Sequence, residues 1–264
     1  MASDNDDPIA LSVDIGAYNT RIGFAGSDYA TTFRTAIARK PSKYTRDEAH
    51  TFVGDTASYC LEGEMPGLIH NGIVTDWDNW EKLCYHAFYN VMNIAPEEHP
   101  MLFSENISTP KANREKAMQI MFETFNTPAY KSISSPLLAG MSSGFTSGIV
   151  VDLGYERTVV TGFSTTDILK AELEHATLPV GGRDITSQFT NLLQESANVK
   201  IHSPDLAMWN HLKEQTCIVS PKMGLVPNYF EPGRNTRIRL TLDKEIDVSC
   251  AVAAPDLYFK PTDS

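Results

Sequence analysis

Apolar positions along this chain follow two periods, and the change from one to the other marks its elements. Over Asn79–Asn93 the apolar residues Trp80, Leu83, Cys84, Ala87, Phe88, Val91 and Met92 recur at i, i+3, i+4, i+7, i+8, i+11 and i+12, the spacing of one face of a core-facing helix. Asp78 with Glu81 supplies a capping-box-like start. Lys111–Phe125 sets Ala117, Ile120, Met121 and Phe125 on a second helical face and stops before Pro128, which disfavours helical geometry in the residue ahead of it. Its methionines read as packing residues, not ligands. Asp184–Ala197, through Ile185, Phe189, Leu192 and Leu193, and Pro204–Thr216 also read as helices. Shorter apolar runs read as strands at Ile9–Val13, Thr20–Phe24, Met101–Phe103, Ile149–Val151 and Thr158–Phe163, and Arg237–Leu242 alternates as a strand.

One pattern occurs twice. VDIGAYNT at Val13–Thr20 returns as VDLGYERT at Val151–Thr158, 138 residues later, and Gly-Phe follows each copy, at Gly23-Phe24 and Gly162-Phe163. Strand, tight turn with Gly, and second strand make a β-hairpin. The backbone N–H groups of such a turn form a concave nest that suits a phosphate, and an Asp at the strand end can hold a hydrated cation. A single Asp-x-Gly only punctuates a hairpin. Two copies facing each other would clamp a nucleotide triphosphate. The order hairpin, helices, hairpin, helices predicts an α/β protein of two related lobes, 1–144 and 145–264.

Composition narrows the function classes. The 264 residues are 42% hydrophobic, enough to bury a full core and to exclude whole-chain disorder. With 22 Lys+Arg against 33 Asp+Glu the net charge is −11, so the chain lacks the basic footprint of direct nucleic-acid or anionic-membrane binding. Cys60, Cys84, Cys217 and Cys250 are scattered with no CxxC pair, which points to a reducing compartment without a disulfide framework or zinc knuckle. The start MASDNDDPIA is acidic where a signal peptide would be basic and apolar, and no apolar run reaches membrane-spanning length. A soluble intracellular protein, cytoplasmic or nuclear, is expected.

Longer runs carry a resemblance. APEEHP at Ala95–Pro100, PKANREK at Pro110–Lys116, QIMFETFNTPA at Gln119–Ala129, FVGDTA at Phe52–Ala57, GIVTDWDNWEK at Gly72–Lys82, HAFYN at His86–Asn90, GRDIT at Gly182–Thr186 and KEQTC at Lys213–Cys217 are nearly verbatim those of conventional actin. The chain resembles the actin family over essentially its whole length, to DLYFKP at Asp256–Pro261. The resemblance implies the two-lobe fold that actin shares with Hsp70 and the sugar kinases, its four subdomains around a cleft that holds Mg-ATP. The segment Arg39–Glu64 would lie in an outer small subdomain of about 33–69, shortened at the family's DNase-binding loop. After Ser264 nothing corresponds to the rest of the family's third subdomain or its C-terminal helices.

Carried over residue by residue, the resemblance assigns nucleotide contacts to Asp14, Gly16, Arg21, Asp152, Gly154, Thr158, Gly182, Lys213 and Glu214, with Asp14 and Asp152 reaching the metal through water. Several neighbours depart from the family. Ala17 and Tyr18 stand for a phosphate-binding Ser and a Gly, Arg21 for a Lys, Tyr155 and Glu156 for Asp and Gly, and Asn210 for an Arg. An Arg keeps the charge of a Lys but changes its reach and donor geometry. Loss of the Gly removes backbone freedom, and Glu156 is expected to add a repelling charge beside the phosphates. Asn71 takes the place of the family's modified His, with His70 one residue earlier. Ser135 stands where a Gln orients the attacking water, and Val159 where a His does. Neither a short hydroxyl nor an isopropyl group places water as an amide and an imidazole do.

Two functions from different classes follow. The first is a catalytically inactive actin-like scaffold or cytoskeletal component, with weak or no Mg-ATP binding. Its partners would be actin, actin-related or actin-binding proteins, or a multi-subunit complex. The second is an ATP-binding, polymerising ATPase, favoured by the acidic start Asp4–Asp7 and opposed by Ser135 and Val159. A sugar kinase or chaperone ATPase of the same fold is opposed by the actin-like runs.

Overall fold

The structure, a computed structural model, describes residues 8–41, 49–58, 67–164, 166, 174–197, 207–219, 237–241, 244–247 and 254–259. The chain divides into two compact units, Met1–Leu178 and Pro179–Ser264. In the first, β1 (Leu11–Ile15) and β2 (Asn19–Phe24) form the first hairpin, with Asp14 opposite Arg21. Leu11 and Val13 are buried on one face while Ser12 is exposed, the two-residue period of a half-buried strand. β3 (Thr31–Arg34) extends the sheet beyond β2. β4 (Ile37–Pro41) pairs with β5 (Ala49–Val53), and the short α1 (Asp55–Ser58) follows. The expected shortening of the DNase-binding loop falls on 42–48 and 59–66, outside the described residues.

A two-residue ladder of β6 (Ile69–His70) and β7 (Ile73–Val74) leads into α2 (Trp77–Tyr85). Here the structure corrects the expected start. The cap is Asp76, whose Oδ1 accepts from Asn79 N at 3.0 Å and whose Oδ2 accepts from the Asn79 side-chain amide at 2.6 Å; Asp78 lies inside the first turn. Nor does one regular α-helix run to Asn93. From His86 to Met92 the backbone is π-helical and closes on Asn93 in the left-handed region, φ 53°. The widened turn keeps Ala87 and Phe88 in the core.

β8 (Met101–Glu105) lies parallel to β1, with Ser104 beside Asp14. α3 (Lys111–Glu123) crosses to β9 (Tyr130–Ser134), parallel to β8, completing a five-stranded sheet in the order β3-β2-β1-β8-β9. Its core joins Leu11, Val13 and Ile22 of the sheet to Trp80, Leu83, Phe88, Met121 and Phe125 of the helices. Phe88 and Phe125 meet edge to face at 5.1 Å. Met121 packs as expected of a core methionine, whereas Met118 is exposed.

α4 (Ser135–Ser142) then feeds a separate three-stranded antiparallel sheet, β10 (Ser147–Leu153), β11 (Thr158–Ser164) and β12 (His175–Leu178). The Phe163 ring lies on Gly140 of α4 and leaves no room there for a Cβ. The division after β12 does not coincide with the 144/145 boundary read from the repeat. The second hairpin is tied back to its own unit through Glu156 to Asn71 and Arg157 to Asn106, and β12 through His175 to Ser108.

In the second unit α5 (Gly182–Ala197) and α6 (Ala207–Thr216) bury Ile185, Phe189, Leu193, Trp209 and Leu212. Asp184 Oδ2 accepts from Gly181 N at 2.8 Å and fixes the start of α5. β13 (Arg237–Thr241) pairs with β14 (Lys244–Asp247). The expected helix start at 204 and the strand end at 242 lie outside the described residues. Among the described residues no helix is long and apolar enough to cross a membrane.

Candidate functional site

The two repeated turns fold alike. Gly16 N donates to Asn19 O at 3.0 Å and Gly154 N donates to Arg157 O at 2.9 Å. In each the glycine faces that same carbonyl: an added Cβ would lie 3.0 Å from Asn19 O at Gly16 and 2.8 Å from Arg157 O at Gly154. Close backbone approach within the turn therefore excludes a Cβ at Gly154 and crowds one at Gly16.

Their charges differ, and the strand register says why. Asp14 faces Arg21 across the first hairpin, and Arg21 Nη1 donates to Asp14 Oδ2 at 3.2 Å. Ser104 Oγ, brought alongside by the parallel register of β8, donates to Asp14 Oδ1. The corresponding cross-strand partner of Asp152 is Val159, which brings no cation. Partial burial, then the negative charge of Asp14, pushes the Asp152 carboxyl above its ordinary range, with Arg157 and Arg21 pulling it back in part. Among the described residues no group of three or more His, Cys, Asp or Glu could hold a metal ion.

This asymmetry has a pH consequence. A carboxyl raised in the folded state holds its proton more tightly there than in the unfolded chain, so its contribution to stability is present at acid pH and is lost as pH rises through the folded value. Asp152→Asn is expected to flatten stability between pH 4 and 7 and to raise the melting temperature at pH 7, by calorimetry. A variant that melts at or below the unaltered chain at pH 7 would contradict the assignment.

Between the turns stand two aromatic rings. Tyr18 and Tyr155 are stacked with centroids 4.5 Å apart and planes tilted by 31°, and the Arg34 guanidinium lies over the Tyr18 ring. Glu156 is turned away from its expected direction: it accepts from Asn71 N at 2.5 Å, and His70 Nδ1 is 3.7 Å from its other oxygen. Its charge faces the β6–β7 turn, where Asn71 adopts φ 50° and points its N–H outward. Arg157 donates to Asn106 Oδ1.

The two positions that the resemblance makes catalytic carry no amide or imidazole, although Val159 lies opposite Asp152 in the hairpin. Val159 is buried with Ile107, Leu137 and Phe163 in an apolar cluster. Ser135 opens α4, just ahead of the buried Pro136. Thr158 is buried in β11 beside Val159.

In the second unit Lys213, Gly182 and Thr186 come together. Lys213 Nζ donates to Gly182 O at 2.9 Å, to Thr186 Oγ1 at 2.9 Å and to Asn210 Oδ1 at 3.1 Å. An ammonium has three protons, and all three are engaged. Burial pushes Lys213 down, and Glu214 and Cys217 partly offset it. Glu214 itself is exposed. Thr186 and Asn210, absent from the residues read from sequence, complete this network through a 2.6 Å hydrogen bond.

Residues 5–222 match the protein family Actin. The chain belongs to the actin family. Human Actin-like protein 7B is 31% identical over 232 residues, covering 83% of this chain and 54% of that protein, so the chain spans about half the length of the curated relative it matches. Members of the family generally bind ATP with Mg and bind other proteins, in cytoskeletal, cytoplasmic or nuclear settings. The mixed α/β fold with its mixed sheet is consistent with membership.

The sequence reading missed Ser104, Arg34 and the Tyr18–Tyr155 contact. A signal for Ser104 existed in the apolar strand Met101–Phe103, which once paired parallel to β1 brings the next residue beside Asp14. The contact between two tyrosines 137 residues apart left none.

Proposed function

We propose that this actin-family protein is a scaffold or cytoskeletal component that does not hydrolyse ATP and binds it weakly or not at all. The observation that carries the reading is Val159, which stands where the resemblance puts a water-orienting His and is buried among Ile107, Leu137 and Phe163. Phosphoryl transfer to water needs a positioned water as well as held phosphates, and an isopropyl group in an apolar cluster holds none. Mg-ATP also fits the present residues poorly. Tyr18 and Tyr155 fill the gap between the turns, Arg21 is engaged by Asp14, and Lys213 donates all its protons within its own unit. Glu214 and Gly182 alone make no adenosine site. The polymerising ATPase remains a second reading, favoured by the matched geometry of the Gly16 and Gly154 turns.

A role carried by protein contacts is supported by β10. It is an edge strand among the described sheets, and Ile149, Val151 and Leu153, at 75%, 57% and 61% exposure, alternate along one face of it. Open strand edges with apolar side chains favour association. Light scattering of the purified chain is expected to show association without actin-type filaments in Mg-ATP, and Ile149→Lys with Val151→Lys to reduce it. A monodisperse monomer with one cooperative unfolding transition, or filaments that need ATP, would overturn the reading.

A further inference from the structure

The two hairpin turns are anchored on different sides. The carbonyl of Tyr18 accepts from Thr35 N at 3.0 Å, so the first turn is tied to the end of β3. The second is tied to the β6–β7 turn and to the segment after β8, through Glu156 to Asn71 and Arg157 to Asn106. Across the gap the half-buried rings of Tyr18 and Tyr155 meet at 4.5 Å, and the Arg34 guanidinium covers the Tyr18 ring. The two tyrosines are not equivalent in the repeat. Tyr155 aligns with Ala17 and Tyr18 with Glu156, so duplication of the hairpin does not account for the pair.

The geometry points to an aromatic latch: Tyr18 and Tyr155, with Arg34 on the Tyr18 ring, join the two hairpin turns to each other without any ligand, so that each turn orders the other. Stacked rings at this separation attract beyond the area they bury, and a cation on a ring face adds to that attraction. The turns that carry the rings are already shaped by their Gly16 and Gly154 hydrogen bonds, so joining them orders few further backbone torsions. Opening one turn breaks the contact that holds the other. The latch needs no nucleotide to form, a triphosphate entering between the turns would have to open it, and it stands apart from the loss of hydrolysis.

Hydrogen exchange on the full chain reads this coupling directly. Tyr18→Leu is expected to speed exchange of the amides at 154–158 by about fivefold, and Tyr155→Leu to do the same at 16–20, the scale expected for losing one aromatic pair. The double variant should exceed neither single by much. Tyr18→Phe and Tyr155→Phe keep the rings and should retain protection. Faster exchange confined to the turn that carries the substitution, or Phe variants as open as the Leu ones, would overturn the latch. A second measurement needs no variant. Photo-oxidative dityrosine coupling of the unaltered chain, read by mass spectrometry of its peptides, should give a Tyr18–Tyr155 cross-link alongside one between Tyr85 and Tyr89, whose centroids are also 4.5 Å apart. Formation of the Tyr85–Tyr89 product without the other would equally refute the latch.

Discussion

Titrated with Mg-ATP in a calorimeter, the purified chain is expected to give no saturable heat at micromolar nucleotide. The groups that a triphosphate would use are already engaged. A triphosphate entering between the turns would have to displace the Tyr18–Tyr155 stack and take Arg21 from Asp14. It would also have to hold Asp152 ionised for the metal, against the partial burial and the Asp14 charge that push its carboxyl above the ordinary range. Each of these costs is set against the backbone N–H groups of two short turns. A submicromolar dissociation constant, equivalent to more than about 8 kcal/mol, would contradict the account.

Lys213→Met should unsettle the second unit and leave the first unchanged. The substitution keeps most of the buried stem but removes the ammonium, and the single proton of the Thr186 hydroxyl, which lies within reach of both Gly182 O and Asn210 Oδ1, can then serve only one of these two acceptors. An unsatisfied buried acceptor costs about 1–3 kcal/mol, so a loss of about 2 kcal/mol is expected. For a unit of this size that corresponds to a fall of roughly 10 °C in its transition. Glu214→Gln, on an exposed side chain, should change stability by less than about 0.5 kcal/mol. If Lys213→Met left melting unchanged but altered nucleotide binding, Lys213 would be a ligand contact and not a structural one.

The duplicated hairpins were legible because two requirements coincide at each glycine. The strand end needs an Asp-x-Gly turn, and the turn carbonyl crowds the place of a Cβ, excluding one at Gly154; together they leave a spaced signature in the sequence. The helix faces were legible for the same reason, since Leu83, Phe88, Met121 and Phe125 must all reach one core. The cap of α2 was not. Asp76 and Asp78 are both acceptable caps, and the choice fell to Asp76 through Asn79, which is buried between that carboxylate and Arg39. The π-helical stretch left no mark in a pattern of i+3 and i+4, because Ala87 and Phe88 at its start stay buried and Val91 and Met92 near its end still pack, partly buried, against the core.

At the site, sequence located the departures but not their direction. Tyr18, Tyr155 and Glu156 stand out against the family pattern. Glu156 was expected to crowd the phosphates, and it turns instead to the N–H that the left-handed Asn71 presents. That outcome depends on a backbone conformation 85 residues away in the chain. Likewise Lys213 matched the family, yet which groups take its protons is decided by the packing of α5 on α6.

Loss of hydrolysis is the central claim, and steady-state phosphate release from the full chain in Mg-ATP tests it most directly. The account predicts a rate no higher than the buffer blank and unchanged by Asp152→Ala. Ser135→Gln alone should not raise it, because water positioning acts as a unit and Val159 remains. Turnover in the unaltered chain that disappears on Asp152→Ala would contradict it.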